Sequence, residues 1–459
     1  MTASTRLTLI AAILGSSIVF IDGTVVNVAL PPIQHDLGGG LAAQQWIADA
    51  YLLTLGSLIL VGGSLGDIFG EARVFRLGVA WFGVASVLCA VSPNVDTLIV
   101  FRGLQGIAGA LLTPASLALI TSTFSGAERG AAIGTWTAWS GISTVVGPLL
   151  GGWLIGVSSW RVIFFLNVPI ALATLAIATR MPHHETRREN VRVDYTGAAL
   201  CVIGLGALVF GFIEQPQRGW DVAVVGSLLG GAAAIAAFVV WEKRVLQPML
   251  PLRLFGMRNF SVTNIETFSV YGGLSAFFFF LVVFLQQNAG YSPFRAGLAT
   301  LPVTVVMFVL SRYAGRYSMR YGPRLFMALG PIIAGGSAAV FMRLPTHVNY
   351  WTDLLPPLLG FSLGLSLTVA PLTTTVLSDA GPGDAGVASG VNNAVARVAG
   401  LFAIAVIGIA AASGTARLTE HGFHIAMLVT GVLMAVGGLI GAIGIRNVGT
   451  TASEQPARA

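Results

Sequence analysis

The chain has 459 residues, 55% of them hydrophobic and only 10% Asp, Glu, Lys or Arg, where a soluble domain carries about 25%. A mean hydropathy of +0.82, with apolar runs of span length from about residue 7 to about residue 446, excludes a single-anchor protein and leaves no segment for a soluble domain. The net charge of +6 would suggest nucleic acid in a soluble protein, but the basic residues sit in short loops between apolar runs, so no nucleic-acid partner is expected.

Apolar windows bounded by charge or by Pro/Gly clusters predict spans at 7–30, 45–66, 74–92, 97–121, 131–156 and 160–180. The first run is too long for a signal-peptide core and carries Asp22 and Asn27, so it reads as a retained span. A polar stretch from Arg180 to Asp194 is followed by two simpler spans at 194–213 and 222–241. Six more lie at 258–286, 293–315, 322–343, 352–377, 385–412 and 422–445. The expected fold is an all-α polytopic membrane protein with 14 spans. Its divisions are a six-helix bundle (1–181), a cytoplasmic loop with two linker spans (182–244), a second six-helix bundle (245–446) and a cytoplasmic tail (447–459).

An even number of spans places both termini on one side, and positive residues should gather on the cytoplasmic side. Of the 25 Lys and Arg, 18 fall on the terminus side: Arg6, Arg73, Arg76, Arg129, Arg180, Arg187, Arg188, Arg192, Lys243, Arg244, Arg253, Arg258, Arg312, Arg316, Arg320, Arg324, Arg446 and Arg458. The other side has five, Arg161, Arg218, Arg295, Arg343 and Arg417, and Arg102 and Arg397 lie inside spans. Both termini are therefore expected in the cytoplasm, with the chain in a bacterial cytoplasmic membrane.

The two six-span blocks look like copies. The loop after the second span has Gly63 and Gly70 seven apart, with Asp67 between them and Arg73 beyond, and the loop after the tenth has Gly315 and Gly322 seven apart, with Arg320 between them and Arg324 beyond. Repeated blocks related by an axis along the membrane normal are a transporter architecture, with the substrate site at their interface near mid-membrane. Chance similarity of two Gly-rich loops is the competing reading.

These residues resemble the major facilitator superfamily, and specifically its fourteen-span drug/proton antiporter branch. Ile21-Asp22-Gly-Thr24-Val-Val-Asn27-Val-Ala-Leu30-Pro31 is similar to that branch's first-span motif. Arg102, Gln105, Gly106 and Pro114 resemble the family's fourth-span motif, and Gly141, Gly147-Pro148 and Gly151-Gly152 its antiporter motif, which is associated with exporters. Gln286 to Pro302, enclosing Gly290-Tyr291-Ser-Pro293, and Ser389-Gly390-Val-Asn392-Asn393 fit the later spans. The resemblance implies the major facilitator fold, with two six-helix bundles and two extra central helices. The loop between spans two and three departs from the family pattern. It keeps Gly63, Leu65, Asp67 and Gly70 but has Ile68, Glu71 and Ala72, so only Arg73 supplies the expected charge of a cytoplasmic latch.

An ionisable group inside a span costs about 2.5 to 3.5 kcal/mol on insertion scales, so each is a functional candidate. Asp22 and Arg102 are placed at similar depth, where a contact is plausible. The pair reads either as a proton-coupling site or as a static ion pair fixing two helices. Glu266 lies roughly 12 Å and Arg397 roughly 18 Å from the same side, close enough to meet through long side chains. A lone Glu266 would attract organic cations or carry a second proton, whereas a paired one would be a structural link. Asp49, near the outer end of its span, reads as a cation attractor at the mouth or, in preference, as an interfacial charge.

Asn27, Gln105, Asn392, Asn393 and Arg397 join Asp49 as candidate cavity residues, and Trp136 and Trp139 suit flat apolar cations through cation–π contact. For Phe277 to Phe280, packing or lipid-facing roles are favoured, and Trp46, Trp153, Trp160, Trp220, Trp241 and Trp351 read as interface anchors. Gly147, Pro148, Gly151 and Gly152 permit a bend and close helix approach, moving or static. Cys89 and Cys201 read as inert packing residues, and His183-His184 as solvated loop residues. No ligand-spaced metal set, Walker-type loop or nucleophile–base constellation is visible, so an enzyme is not expected.

These expectations amount to a proton-coupled antiporter that exports amphipathic, often cationic, drugs by alternating access. It needs no cofactor beyond protons as coupling ion, works as a monomer, and has the lipid bilayer and the amphipathic substrate as partners. The alternatives are a carrier of one physiological solute, such as a lipid, metabolite or siderophore, and a non-transporting membrane sensor or scaffold.

Overall fold

The computed structural model describes residues 3–181, 193–378, 385–411 and 417–447, and among these there is no strand. Among the described residues, fourteen helical segments are long and apolar enough to cross a membrane. The first six crossings are α1 (Ala3–Leu37), α2 (Leu41–Phe69), α3 (Glu71–Ala90), α4 (Val95–Thr123), α5 (Gly126–Val157) and a broken sixth made of α6 (Arg161–Phe165) and α7 (Asn167–Ala178). Two linker helices follow, α8 (Tyr195–Arg218) and α9 (Val222–Glu242). The last six are α10 (Arg258–Gln287), α11 (Pro293–Tyr321), α12 (Pro323–Val340), α13 (Leu355–Ser378), α14 (Ala385–Ala411) and α15 (Glu420–Gly444). The charges at Arg187, Arg188, Arg192 and Arg458 and the His183-His184 pair lie outside the described residues.

Spans read from hydropathy match these helices in number and order, but several helices run further. α1 continues through Pro31 and Pro32 and stops only at Gly38 and Gly39, both at positive φ. α2 begins four residues before the expected start, which places Asp49 about 12 Å along the helix rather than at its mouth. Side-chain caps mark several starts: Asn94 accepts from the Thr97 amide, Ser292 from Arg295 and Thr419 from Gly422. Asp221 caps α9, and the Val224 amide, then Arg218, hold its carboxyl below the usual carboxylate range.

The repeat is visible in the backbone. Gly70 joins α2 to α3 with φ 92° and ψ 131°, and Gly322 joins α11 to α12 with φ 85° and ψ 149°. Each ends one helix and opens the next, in a conformation that a side chain rarely adopts. Each block repeats its partner's packing, α2 and α3 on α4 as α11 and α12 on α13, and α1 on α5 as α10 on α14.

The Phe run resolves as packing. Phe277, Phe279 and Phe280 are fully buried, and Phe277 stacks on Phe361 at 3.9 Å inside the second bundle. Trp160 is not an interface anchor: it is 3% exposed and its indole donates to Asp36. Trp46 likewise donates to Glu214, tying α2 to α8, whereas Trp153, Trp220 and Trp351 are exposed as expected of anchors.

Replacing Gly70 or Gly322 by Ala forces a side chain into this strained backbone, at about 1–3 kcal/mol each. Thermal unfolding of the purified protein should show a lower Tm for both variants. At Gly322 the added Cβ would also overlap the Asn447 side chain.

Candidate functional site

Asp22 on α1 is fully buried and faces the inside of the first bundle. Its Oδ2 accepts from Arg102 Nη1 at 2.5 Å, and its Oδ1 accepts from Gln105 Nε2 at 2.9 Å and Asn167 Nδ2 at 3.0 Å. Arg102 also donates to the Gln105 amide oxygen at 2.5 Å and, through Nε, to the Ile47 carbonyl at 3.2 Å. Its guanidinium lies 4.3 Å from the Tyr51 ring centre. Ser86 closes the network by accepting from Gln105 and Asn167, and the Cys89 thiol points at Gln105 Oε1. Five helices thus converge on one ion pair, α1 through α4 together with α7. The expected contact is present, and Gln105, predicted in the cavity, belongs instead to this network.

Sequence reasoning missed Asn167 and Ser86. Neither is ionisable, and nothing in their spacing links them to Asp22; a buried Asn inside an apolar run was the only signal.

The other two intramembrane acids have no hydrogen-bond partner. Asp49 is 0% exposed with both oxygens unpaired, so the preferred interfacial reading fails. Gln45, Leu52 and Gly56, at helical spacing from Asp49, meet α14 at Ile404 and Gly408, Gly400 and Arg397 respectively, so Asp49 lies on the stripe of α2 that faces the second bundle. Glu266 is also 0% exposed and unpartnered. It does not meet Arg397: its carboxyl lies against Gly441 of α15, beside Met327 of α12, within the second bundle rather than toward the cavity.

Space between the halves is bordered by α1, α2 and α14. A Cβ on Gly23 would meet nothing within 4 Å, and Asn27 is half-buried one turn further along the same face. Arg397 projects from α14 toward α1, with its guanidinium 5.9 Å from the Phe20 ring centre and its Cβ at Gly56 of α2. Asn393 is exposed and bonds only within its own helix. Asn392 was expected in this space but turns into the second bundle, donating to Asn264 and Thr267 of α10. The two tryptophans separate: Trp136 packs into the first bundle and donates to Ser16 at 2.8 Å, while Trp139 is half exposed.

The glycine motif of α5 seals one end of the seam. Gly147 lies against Thr24 and Ile21 of α1, Gly151 against Val25, and Gly152 against the backbone of Pro293 and Phe294 of α11. The Pro148 carbonyl in turn touches Gly297. On the same face, away from the termini, Gln286 donates to the Val28 carbonyl and Gln287 to Gln34. Toward the terminal face, Gly130, Gly134 and Gly141 of α5 have nothing within 4 Å where a Cβ would stand. The halves therefore close opposite the termini and part between α5 and α11 toward them.

In the loop repeat, Gly63 and Gly315 stand against Pro114 and Ala370 of their own bundles, and Asp67 and Arg73 flank Gly70. Glu71, which replaces the expected basic residue, accepts from Ser122 at the end of α4. Arg320 lies over the ring of its neighbour Tyr321.

A family model described as the Major Facilitator Superfamily matches residues 12–404. The puromycin resistance protein of Streptomyces alboniger is 35% identical over 435 residues, covering 93% of this chain and 86% of that protein. The tetracenomycin C resistance and export protein of Streptomyces glaucescens is 36% identical over 414 residues, 88% of this chain and 76% of that protein. Among solved structures, the inward-open xylose transporter of E. coli superposes with a TM-score of 0.67 at 14% identity, covering 97% of both chains.

Removing one partner of a buried ion pair leaves an uncompensated charge and costs about 3–5 kcal/mol. Asp22→Ala and Arg102→Ala should each lose stability on that scale. The double variant should lose less than their sum, which a double-mutant cycle on thermal unfolding measures.

Proposed function

This chain belongs to the major facilitator superfamily, and from that premise we propose that it exports amphipathic, antibiotic-like compounds in exchange for protons. The carrying observation is that relatives bearing resistance and export in their names align over 88–93% of the chain, through both bundles and the linker helices. The 18 to 5 distribution of positive residues supports both termini in the cytoplasm of a bacterial cell, so the parted side of the seam faces the cytoplasm, where an exporter loads. Both halves of the seam come from one chain, which supports a monomer as the working unit.

In this reading Asp22 exchanges the proton and Arg102 senses it. When Asp22 loses its charge, Arg102 becomes a buried cation without a counter-charge, and the five-helix network must rearrange. Asn27, Arg397, Asn393 and Trp139 border the substrate path. Asp49 lies on the closed stripe of α2, so opening that stripe would expose it. Each net positive charge moved inward contributes about 2.3 kcal/mol per 100 mV of membrane potential, so the voltage drives export of a monovalent cation only when more than one proton enters per cation.

Purified protein in proteoliposomes with an imposed pH gradient should move ethidium, and Asp22→Asn should abolish that movement while remaining folded and inserted. Gradient-driven movement retained by Asp22→Asn would remove Asp22 from the coupling step. No movement by either protein would contradict the drug-exporter reading.

A further inference from the structure

Away from the seam, a second pair of carboxyl groups is buried where the two linker helices meet the connector to the second bundle. Asp194 precedes α8 and is 8% exposed, and Glu242 ends α9 and is 3% exposed. One oxygen of each is satisfied. Asp194 Oδ1 accepts from the Gly197 amide and the Trp241 indole, both at 2.8 Å, and Glu242 Oε2 accepts from the Leu250 amide at 2.9 Å. The remaining oxygens, Asp194 Oδ2 and Glu242 Oε1, have no partner. Both converge on Gly197, where a Cβ would overlap each of them.

Two acceptors aimed at one another in a buried space are repulsive unless something positive stands between them. The described neighbours offer no cation for that position. α2 presents Leu58, Leu60 and Val61 to this cluster, α8 adds Cys201, and Lys243 and Arg244, next along the chain, are exposed. Trp241 supplies only its indole N–H, and that bond goes to the satisfied oxygen of Asp194. A shared proton turns the contact into a carboxyl–carboxylate hydrogen bond, the short and strong kind.

We propose that Asp194 and Glu242 hold one proton between them and form a proton-dependent clasp that ties α8, α9 and the connector at Leu250 together on the terminal face. With the proton present, the clasp fixes the linker helices to the start of the second bundle. When the proton leaves, two like charges face one another at Gly197, and the contact between the start of α8 and the end of α9 is the one that gives. The clasp shares no residue with the Asp22 network, so it stands or falls separately from the coupling proposed for Asp22.

The sign of its pH dependence is fixed by linkage. A proton held in the folded protein and released by the unfolded chain makes stability fall as pH rises. Thermal unfolding of the full-length protein in nanodiscs, from mildly acidic to mildly alkaline pH, should show a declining wild-type Tm. Glu242→Gln and Asp194→Asn should each flatten that decline. A protonated-carboxyl band that titrates in wild-type infrared difference spectra should be missing from both variants. Asp194→Ser, which keeps a capping oxygen for Gly197, gives the same readout should the amide variants fail to fold. Variants that keep the wild-type slope and band would overturn the proposal. So would a Tm at fixed alkaline pH that rises with added sodium or potassium, because the pair would then hold a metal cation. None of these readouts requires a substrate.

Discussion

The constraint on which the first bundle depends is the burial of a guanidinium and a carboxylate together, both shut off from solvent. Either ion alone would cost several kcal/mol in that environment, and the pair is tolerated only when its remaining donors and acceptors are also met. Arg102 and Asp22 meet that condition with Gln105, Asn167, Ser86 and the Ile47 carbonyl. Each partner comes from a different part of the chain, so satisfying one ion pair brings α1, α2, α3, α4 and α7 to common positions. Hydrophobic burial gives little preference among helix arrangements in a bilayer, where lipid is as apolar as Leu. A polar network of fixed geometry supplies that preference.

Among the described residues the second bundle has no equivalent. Its acid, Glu266, sits without a partner against Gly441, and its order comes from stacked Phe277 and Phe361, from Phe284 on Phe423, and from glycines that let α10, α12 and α15 touch. The repeat is therefore one of backbone plan rather than of chemistry. Gly70 and Gly322 turn the chain in the same way, while among the described residues the buried ion pair lies in the first half.

Much of the fold was legible because spans announce themselves one residue at a time. Twenty apolar residues between charges read as a crossing whatever they touch, so the count, the order and the central helix pair came through. The Asp22–Arg102 contact was legible for a related reason, since two charges at similar depth in one bundle have few other places to go. Facing direction was not legible. Gln105, Asn392 and Trp136 are polar or amphipathic residues inside spans, and residue type and motif assigned them to the cavity; tertiary packing turned each toward a partner in its own bundle. Asp49 was misplaced by an error in one boundary, because a span that starts four residues earlier carries the same residue one turn deeper. Asn167 was invisible because its role exists only once α7 lies beside α1.

The position of α2 connects the ionic centre to the seam. Its Ile47 carbonyl accepts from Arg102 on one side, while Gln45, Leu52 and Gly56 on another side meet α14 of the opposite half. A helix is stiff along its axis, and packed interiors shift between discrete arrangements rather than deforming continuously. A change of charge at Asp22 that lets Arg102 move would therefore act on α2 as a body and be felt where α2 touches α14. Asp49 sits on that contact stripe with no bond of its own to break, so separating α2 from α14 costs no ionic interaction there and gives a carboxylate access to solvent. Coupling between a buried charge and an opening seam needs no long chain of intermediates in this molecule. One helix borders both.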